Sequence, residues 1–176
     1  MNYLQQQQQI FRRSKLTILS SFFLIFINFP LNAQNLEKTH QDWHVLTTEK
    51  KSSKICYIAC VPKSQDGNYK KRKEPYVLVS LFPSRAAEVS VSSGFIYKSG
   101  GHVDIQIGKK QYKLVKIKES LAWAKGIADD KSIIDDMKSG MELKVKATSK
   151  YNTYAIDSYS LKGFTAAYLD MIKICK

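Results

Sequence analysis

The chain has 176 residues, 44% hydrophobic and 24% charged, with a formal net charge of +13. Such a composition excludes a disordered chain, because apolar side chains are available to offset chain entropy. The excess of positive charge favours anionic partners.

Arg12, Arg13 and Lys15 open the chain with positive charge and no acidic neighbour. An apolar run follows from Leu16 to Leu31, shorter than the ~20 residues of a spanning helix. Leu31-Asn32-Ala33 then sets a small residue just before Gln34. This order is that of a secretory signal peptide. We therefore expect a cleaved signal over 1–33 and one exported domain over 34–176, soluble after cleavage. Its location would be periplasmic, extracellular or surface-associated. Without Arg12, Arg13 and Lys15, 25 basic residues stand against 15 acidic ones. Phospholipid head groups, lipopolysaccharide, acidic glycans or an acidic protein surface would suit that charge, and export argues against nucleic acid.

Asn35 to Gln41 is polar and reads as a loose lead-in. Asp42 to Thr48 has strand character around Trp43 and Val45. Ser53 to Val61 is apolar on both faces, which predicts an interior strand ended by Pro62. Lys63 to Glu74 is a charged loop with Asp66-Gly67-Asn68 as turn chemistry. Tyr76 to Phe82 is a further buried strand, stopped by Pro83. Glu88 to Ser92 alternates, and Phe95 to Tyr97 continues it after Gly94. His102 to Ile107 and Gln111 to Ile117 read as two strands joined at Gly108-Lys109-Lys110.

The period changes at Asp129. Asp129 and Asp130 suit a helix N-terminus, Ile133, Ile134 and Met137 form its inward stripe, and Gly140 ends it. Glu142 to Thr148 and Thr153 to Ser160 are strands. Phe164, Ala167, Tyr168, Met171, Ile172 and Cys175 then recur at helical spacing. The predicted fold is mainly β, a single-domain antiparallel sandwich or barrel-like fold of eight or nine strands. It carries one short helix near 129–139 and a C-terminal helix near 162–174.

An oxidising compartment favours pairing of two of Cys56, Cys60 and Cys175. Four residues of strand would hold Cys56 and Cys60 ~13 Å apart, whereas a disulfide needs Cα atoms within about 7 Å. Cys175 is thus the natural partner for one of them.

Few patterns speak for chemistry. His40 and His44 have the i, i+4 spacing of a helical metal site, but their segment reads as extended and no third ligand is evident. His102 stands alone. No serine lies in a Gly-x-Ser-x-Gly elbow, and phosphate and dinucleotide loops are missing. A buried strand is a poor setting for Cys60 as a nucleophile. Asp129, Asp130, Asp135 and Asp136 do not have calcium-loop spacing. We expect no catalytic residues, no metal and no cofactor. The densest positive stretch is Lys63, Lys70, Lys71, Arg72 and Lys73, flanked by Tyr69 and Tyr76. Lys70, Lys71, Arg72 and Lys73 are the candidate contacts to an anionic partner.

Several pieces in chain order resemble the invasion-associated locus B family of exported bacterial proteins. They are Asp42-Trp43, Cys56-Tyr57-Ile58-Ala59 with Pro62, Arg72 before Pro75-Tyr76-Val77, and Val89-Ser90 leading to Ser93-Gly94-Phe95. Ala122-Trp123-Ala124 follows, then Asp130 leading to Met137 and Gly140. The last block is Asp157-x-Tyr159-Ser160-Leu161-x-Gly163-Phe164-x-Ala166-Ala167, with Cys175 beyond it. The resemblance implies a mainly β exported domain, linked by the family's name to host-cell invasion, with no catalytic set to carry over. Cys60 departs from the family, where a small polar residue is more usual. That departure implies Cys56 with Cys175 as the disulfide and Cys60 as the odd thiol. The expected function is a non-enzymatic binding module for an anionic envelope or host-surface component. An envelope assembly factor that binds a protein partner is the alternative.

Overall fold

The computed structural model describes residues 34–50 and 53–175. The signal predicted over 1–33 lies outside the described residues. The chain opens with a hairpin of β1 (Asn35–His40) and β2 (Trp43–Lys50), and β2 then pairs with β3 (Ser53–Cys60). After β4 (Ser64–Gly67) come β5 (Tyr76–Leu81) and β6 (Glu88–Ser92). A second hairpin joins β7 (Val103–Ile107) and β8 (Lys110–Leu114), with the short β9 (Lys116–Lys118) and β10 (Leu121–Trp123) behind it. Helix α1 (Ile127–Ser139), β11 (Glu142–Thr148), β12 (Tyr154–Ser160) and helix α2 (Phe164–Cys175) complete the order.

The strands form two antiparallel sheets. One has seven strands in the order β1-β2-β3-β5-β6-β10-β9, the other five in the order β4-β12-β11-β7-β8. Both are open, so the fold is two sheets rather than a closed barrel. Alternation in sequence sets the faces. Ile58 lies opposite Val45 and Val79, and Cys60 lies opposite Val77, all buried. In the smaller sheet Val145 pairs with Ile105 on the buried side, while Lys144 pairs with Gln106 on the exposed side. Helix α2 packs on β2 and β3, and α1 packs on β6 and α2. Trp43 joins the layers: its indole N–H donates to the Ser160 carbonyl at 3.0 Å, and its ring meets the Phe164 ring at 4.9 Å.

Several expectations are corrected. Asn35 to His40 is a strand, not a loose lead-in. It is the edge strand, wet on both sides, so it lacks an apolar alternation, and pairing to β2 supplies its backbone partners. The long strand expected from Gln111 to Ile117 breaks at Val115 into β8 and β9, which belong to different sheets. The segment Phe95 to Tyr97 contributes only a bridge between Tyr97 and Ser149. Asp130 does not cap α1. Its carboxylate accepts the Val89 amide at 2.9 Å, tying α1 to β6, and burial pushes its pKa up.

Candidate anionic-partner surface

The loop between β4 and β5 carries the predicted basic run. Lys70, Lys71 and Lys73 are exposed. Arg72 is not: its side chain is 3% exposed and that of its partner Asp157 is 0% exposed. Its Nη1 donates to Asp157 Oδ2 at 2.7 Å and to the Ser93 carbonyl at 3.0 Å. Nη2 donates to Gln65 Oε1 at 2.8 Å and to the second Asp157 oxygen. The Tyr69 ring covers the guanidinium at 4.2 Å. Arg72 is therefore withdrawn as a contact. A guanidinium can be buried where a carboxylate and a carbonyl both meet it, and alternation turns Asp157 inward to do so.

The glycine after Ser93 lets the loop close. Gly94 has φ +76°, and a Cβ there would run into the Lys73 carbonyl. The Lys73 amide instead donates to the Gly94 carbonyl at 2.9 Å. Tyr97 locks the same corner. Its hydroxyl accepts the Ser93 amide at 2.8 Å and donates to the Val91 carbonyl at 3.2 Å, and burial pushes its pKa up to about 12.

Fixing this corner brings further cations beside the loop. Residues 96–98 run antiparallel to 148–150, with the Lys150 amide on the Ile96 carbonyl at 2.9 Å and the Lys98 amide on the Thr148 carbonyl at 3.0 Å. Tyr97 and Ser149 face inward and are buried. Alternation then turns Ile96, Lys98 and Lys150 outward. Ile96 is 45% exposed, and Tyr151 in the adjoining turn is 76% exposed. The Lys150 ammonium lies 4.9 Å from the Tyr151 ring centroid. On the other flank, Asn68 hydrogen-bonds Tyr154 in both directions, at 3.2 and 2.7 Å. Lys70, Lys71, Lys73, Lys98 and Lys150 thus share one end of the sandwich. Among the described residues none of the five is in an ion pair, whereas Lys63 is held by Asp42 at 2.5 Å. Sequence reading missed Ile96, Lys98, Lys150 and Tyr151 because two separate turns present them. Their signal was a lysine beside each turn, in Lys98-Ser99-Gly100 and Ser149-Lys150-Tyr151-Asn152.

The remaining candidates are engaged elsewhere. Cys56 and Cys175 are joined as a disulfide, with Cα atoms 6.1 Å apart and a sequence separation of 119. Cys60 is free and buried. Burial pushes its thiol up to about 12, the Asp42 charge adds to the shift and Lys63 opposes it, so it stays protonated at neutral pH. His40 lies on β1, 2.7 Å from Asp170 of α2, and Lys38 lies 2.9 Å from the same oxygen. His44 lies on β2 and shares a hydrogen bond with Thr39 at 3.0 Å. Asp135 pairs with Lys131 at 2.6 Å, and Asp136 pairs with Lys110 at 2.7 Å while accepting the Tyr112 hydroxyl.

These features define a two-sheet β-domain closed by a tail disulfide and a buried Arg–Asp pair, with an uncovered basic end. The chain belongs to the invasion associated locus B (IalB) family, whose model matches residues 43–171. Among solved structures it is similar to invasion associated protein B from Bartonella henselae, at 16% identity and a TM-score of 0.56. That match covers 78% of this chain and 96% of that one, and it shows a shared fold. No curated protein matches.

Proposed function

We propose that this protein is an exported, non-enzymatic binding module whose basic end engages an anionic component of the envelope or host surface. The observation that carries this is the group of five exposed lysines, none in an ion pair among the described residues, held on a braced sandwich corner. Unpaired cations on a braced backbone attract polyanions without the cost of ordering a loop first. The leader-like N-terminus supports export to the periplasm or surface, and the disulfide fits an oxidising compartment. We propose no catalytic residue, cofactor or nucleic-acid partner. The test is Lys70→Glu, Lys71→Glu and Lys73→Glu together, leaving Arg72 in place because it holds the loop. Binding to anionic glycans should fall and lose much of its salt dependence. Unchanged binding, or no salt dependence in the parent protein, removes the electrostatic reading.

A second reading, an envelope assembly factor with a protein partner, has its own observation. The outer face of the seven-stranded sheet carries Leu46, Tyr57 and Leu78 around an open cleft of about 340 Å³. Crosslinking in intact envelopes should then capture a partner whose recovery is indifferent to the charge reversal.

A further inference from the structure

We infer that the ridge of Ile96, Lys98, Lys150 and Tyr151 docks this domain on an anionic phospholipid surface, with Ile96 and Tyr151 entering the headgroup layer and the lysines meeting lipid phosphates. This rests on the anionic-partner reading and names its partner class. A soluble polyanion would need only the lysines. The ridge also holds Ile96 at 45% and Tyr151 at 76% exposure, beside Lys98 and Lys150. Tyrosine pairs an apolar ring with a polar tip and suits the boundary between acyl chains and water. Lysine stems can lie along the apolar layer while the ammonium stays at phosphate level. A free glycan offers nothing for the apolar side chains to enter.

Charge further selects the Lys98 and Lys150 side of the ridge as the phosphate seat. A cleft of about 710 Å³ opens at its Ile96 edge, lined among others by Ile96, Lys73, Glu74, Phe95 and Glu119. Two carboxylates against one ammonium make that cleft a poor seat for a phosphate. On the ridge itself, residues 96–98 and 148–151, there is no acidic side chain. The ridge is also rigid. Two backbone hydrogen bonds join its halves, and the Asn152 amide closes the turn on the Ser149 carbonyl at 2.9 Å. Docking would not require the protein to order itself first.

The experiment uses protein expressed from the full chain and purified with the Cys56–Cys175 bond intact. Binding is measured to vesicles of phosphatidylcholine with phosphatidylglycerol, to pure phosphatidylcholine vesicles, and to heparin as a soluble polyanion. Lys98→Gln with Lys150→Gln should weaken binding to the anionic vesicles by roughly thirtyfold, at about fivefold for each lysine lost near a charged leaflet. Ile96→Ser with Tyr151→Ser should weaken vesicle binding by about tenfold while changing heparin binding by less than about twofold. Both pairs are exposed, and an unchanged melting temperature checks that the fold survives. Heparin binding without vesicle binding overturns membrane docking and leaves the anionic-partner reading standing. Binding to neither overturns both. Equal binding to neutral and anionic vesicles, or indifference to the Ile96 and Tyr151 changes, also overturns the docking.

Discussion

At the tail, α2 is tied to β3 by a covalent bond spanning 119 residues of sequence. At the β4–β5 loop, Arg72 is tied to β12 by an ion pair whose side chains are 3% and 0% exposed. The disulfide acts mainly on the unfolded chain, by removing conformations it could otherwise explore. The ion pair exists only in the folded state. It must first recover the cost of taking two charges out of water, so it selects one loop position more than it adds net stability. The tail clasp is therefore sensitive to reductant, and the loop clasp is not.

Cys175→Ser should give the largest effect, about 4–5 kcal/mol in the chain-entropy account. Urea unfolding of the variant, and of the parent with and without reductant, reads it directly. A parent midpoint that ignores reductant would dissolve the contrast. Arg72→Ala should cost about 3–5 kcal/mol by leaving Asp157 charged and buried. Arg72→Met with Asp157→Leu should recover most of that loss, because an apolar pair leaves no charge behind. If the double variant is as unstable as the single, the pair contributes net stability after all.

Acid should act on the surface pairs. The hydrogen bond from Lys63 holds the Asp42 carboxyl below its usual range, as Lys110 and then Tyr112 do for Asp136. A depressed folded pKa contributes stability above the unfolded carboxylate range and loses it as pH falls. The unfolding midpoint should therefore drop between about pH 5 and pH 2, and Asp42→Asn should flatten part of that slope. Asp130 acts in the opposite sense, since burial raises its pKa and acid relieves its charge. The smallest effect belongs to Lys70→Glu, Lys71→Glu and Lys73→Glu, which should shift stability by less than about 0.5 kcal/mol each. A thermal melt checks it, and a large loss would mean that these lysines brace the loop as Arg72 does.

Much of the architecture was legible because buried β-strands must alternate or run apolar. Val103, Ile105 and Ile107 announce β7 in that way, and Ile133, Ile134 and Met137 announce α1. The edge strand β1 was not legible, since both its faces are wet and no periodicity survives. Nor was the break at Val115, where a continuous alternation changes sheets. In the basic run, Lys70, Lys71 and Lys73 read correctly as exposed, while Arg72 did not. Asp157, 85 positions away, with Ser93 and Gln65, distinguishes it from its neighbours. Ser93 and Asp157 were visible as separate pieces of a family pattern, and the fold shows them meeting at one guanidinium.

From its residues alone this chain settles its class: a β-domain with two helices, strongly basic, with cysteines apt for an oxidising setting. Those properties follow from local periodicity and net charge, which need no knowledge of who meets whom. Tertiary structure decided which cation is buried and which turns share the basic end. Each of these depends on partners distant in sequence, and only closure of the two sheets brings them within hydrogen-bonding or bonding reach.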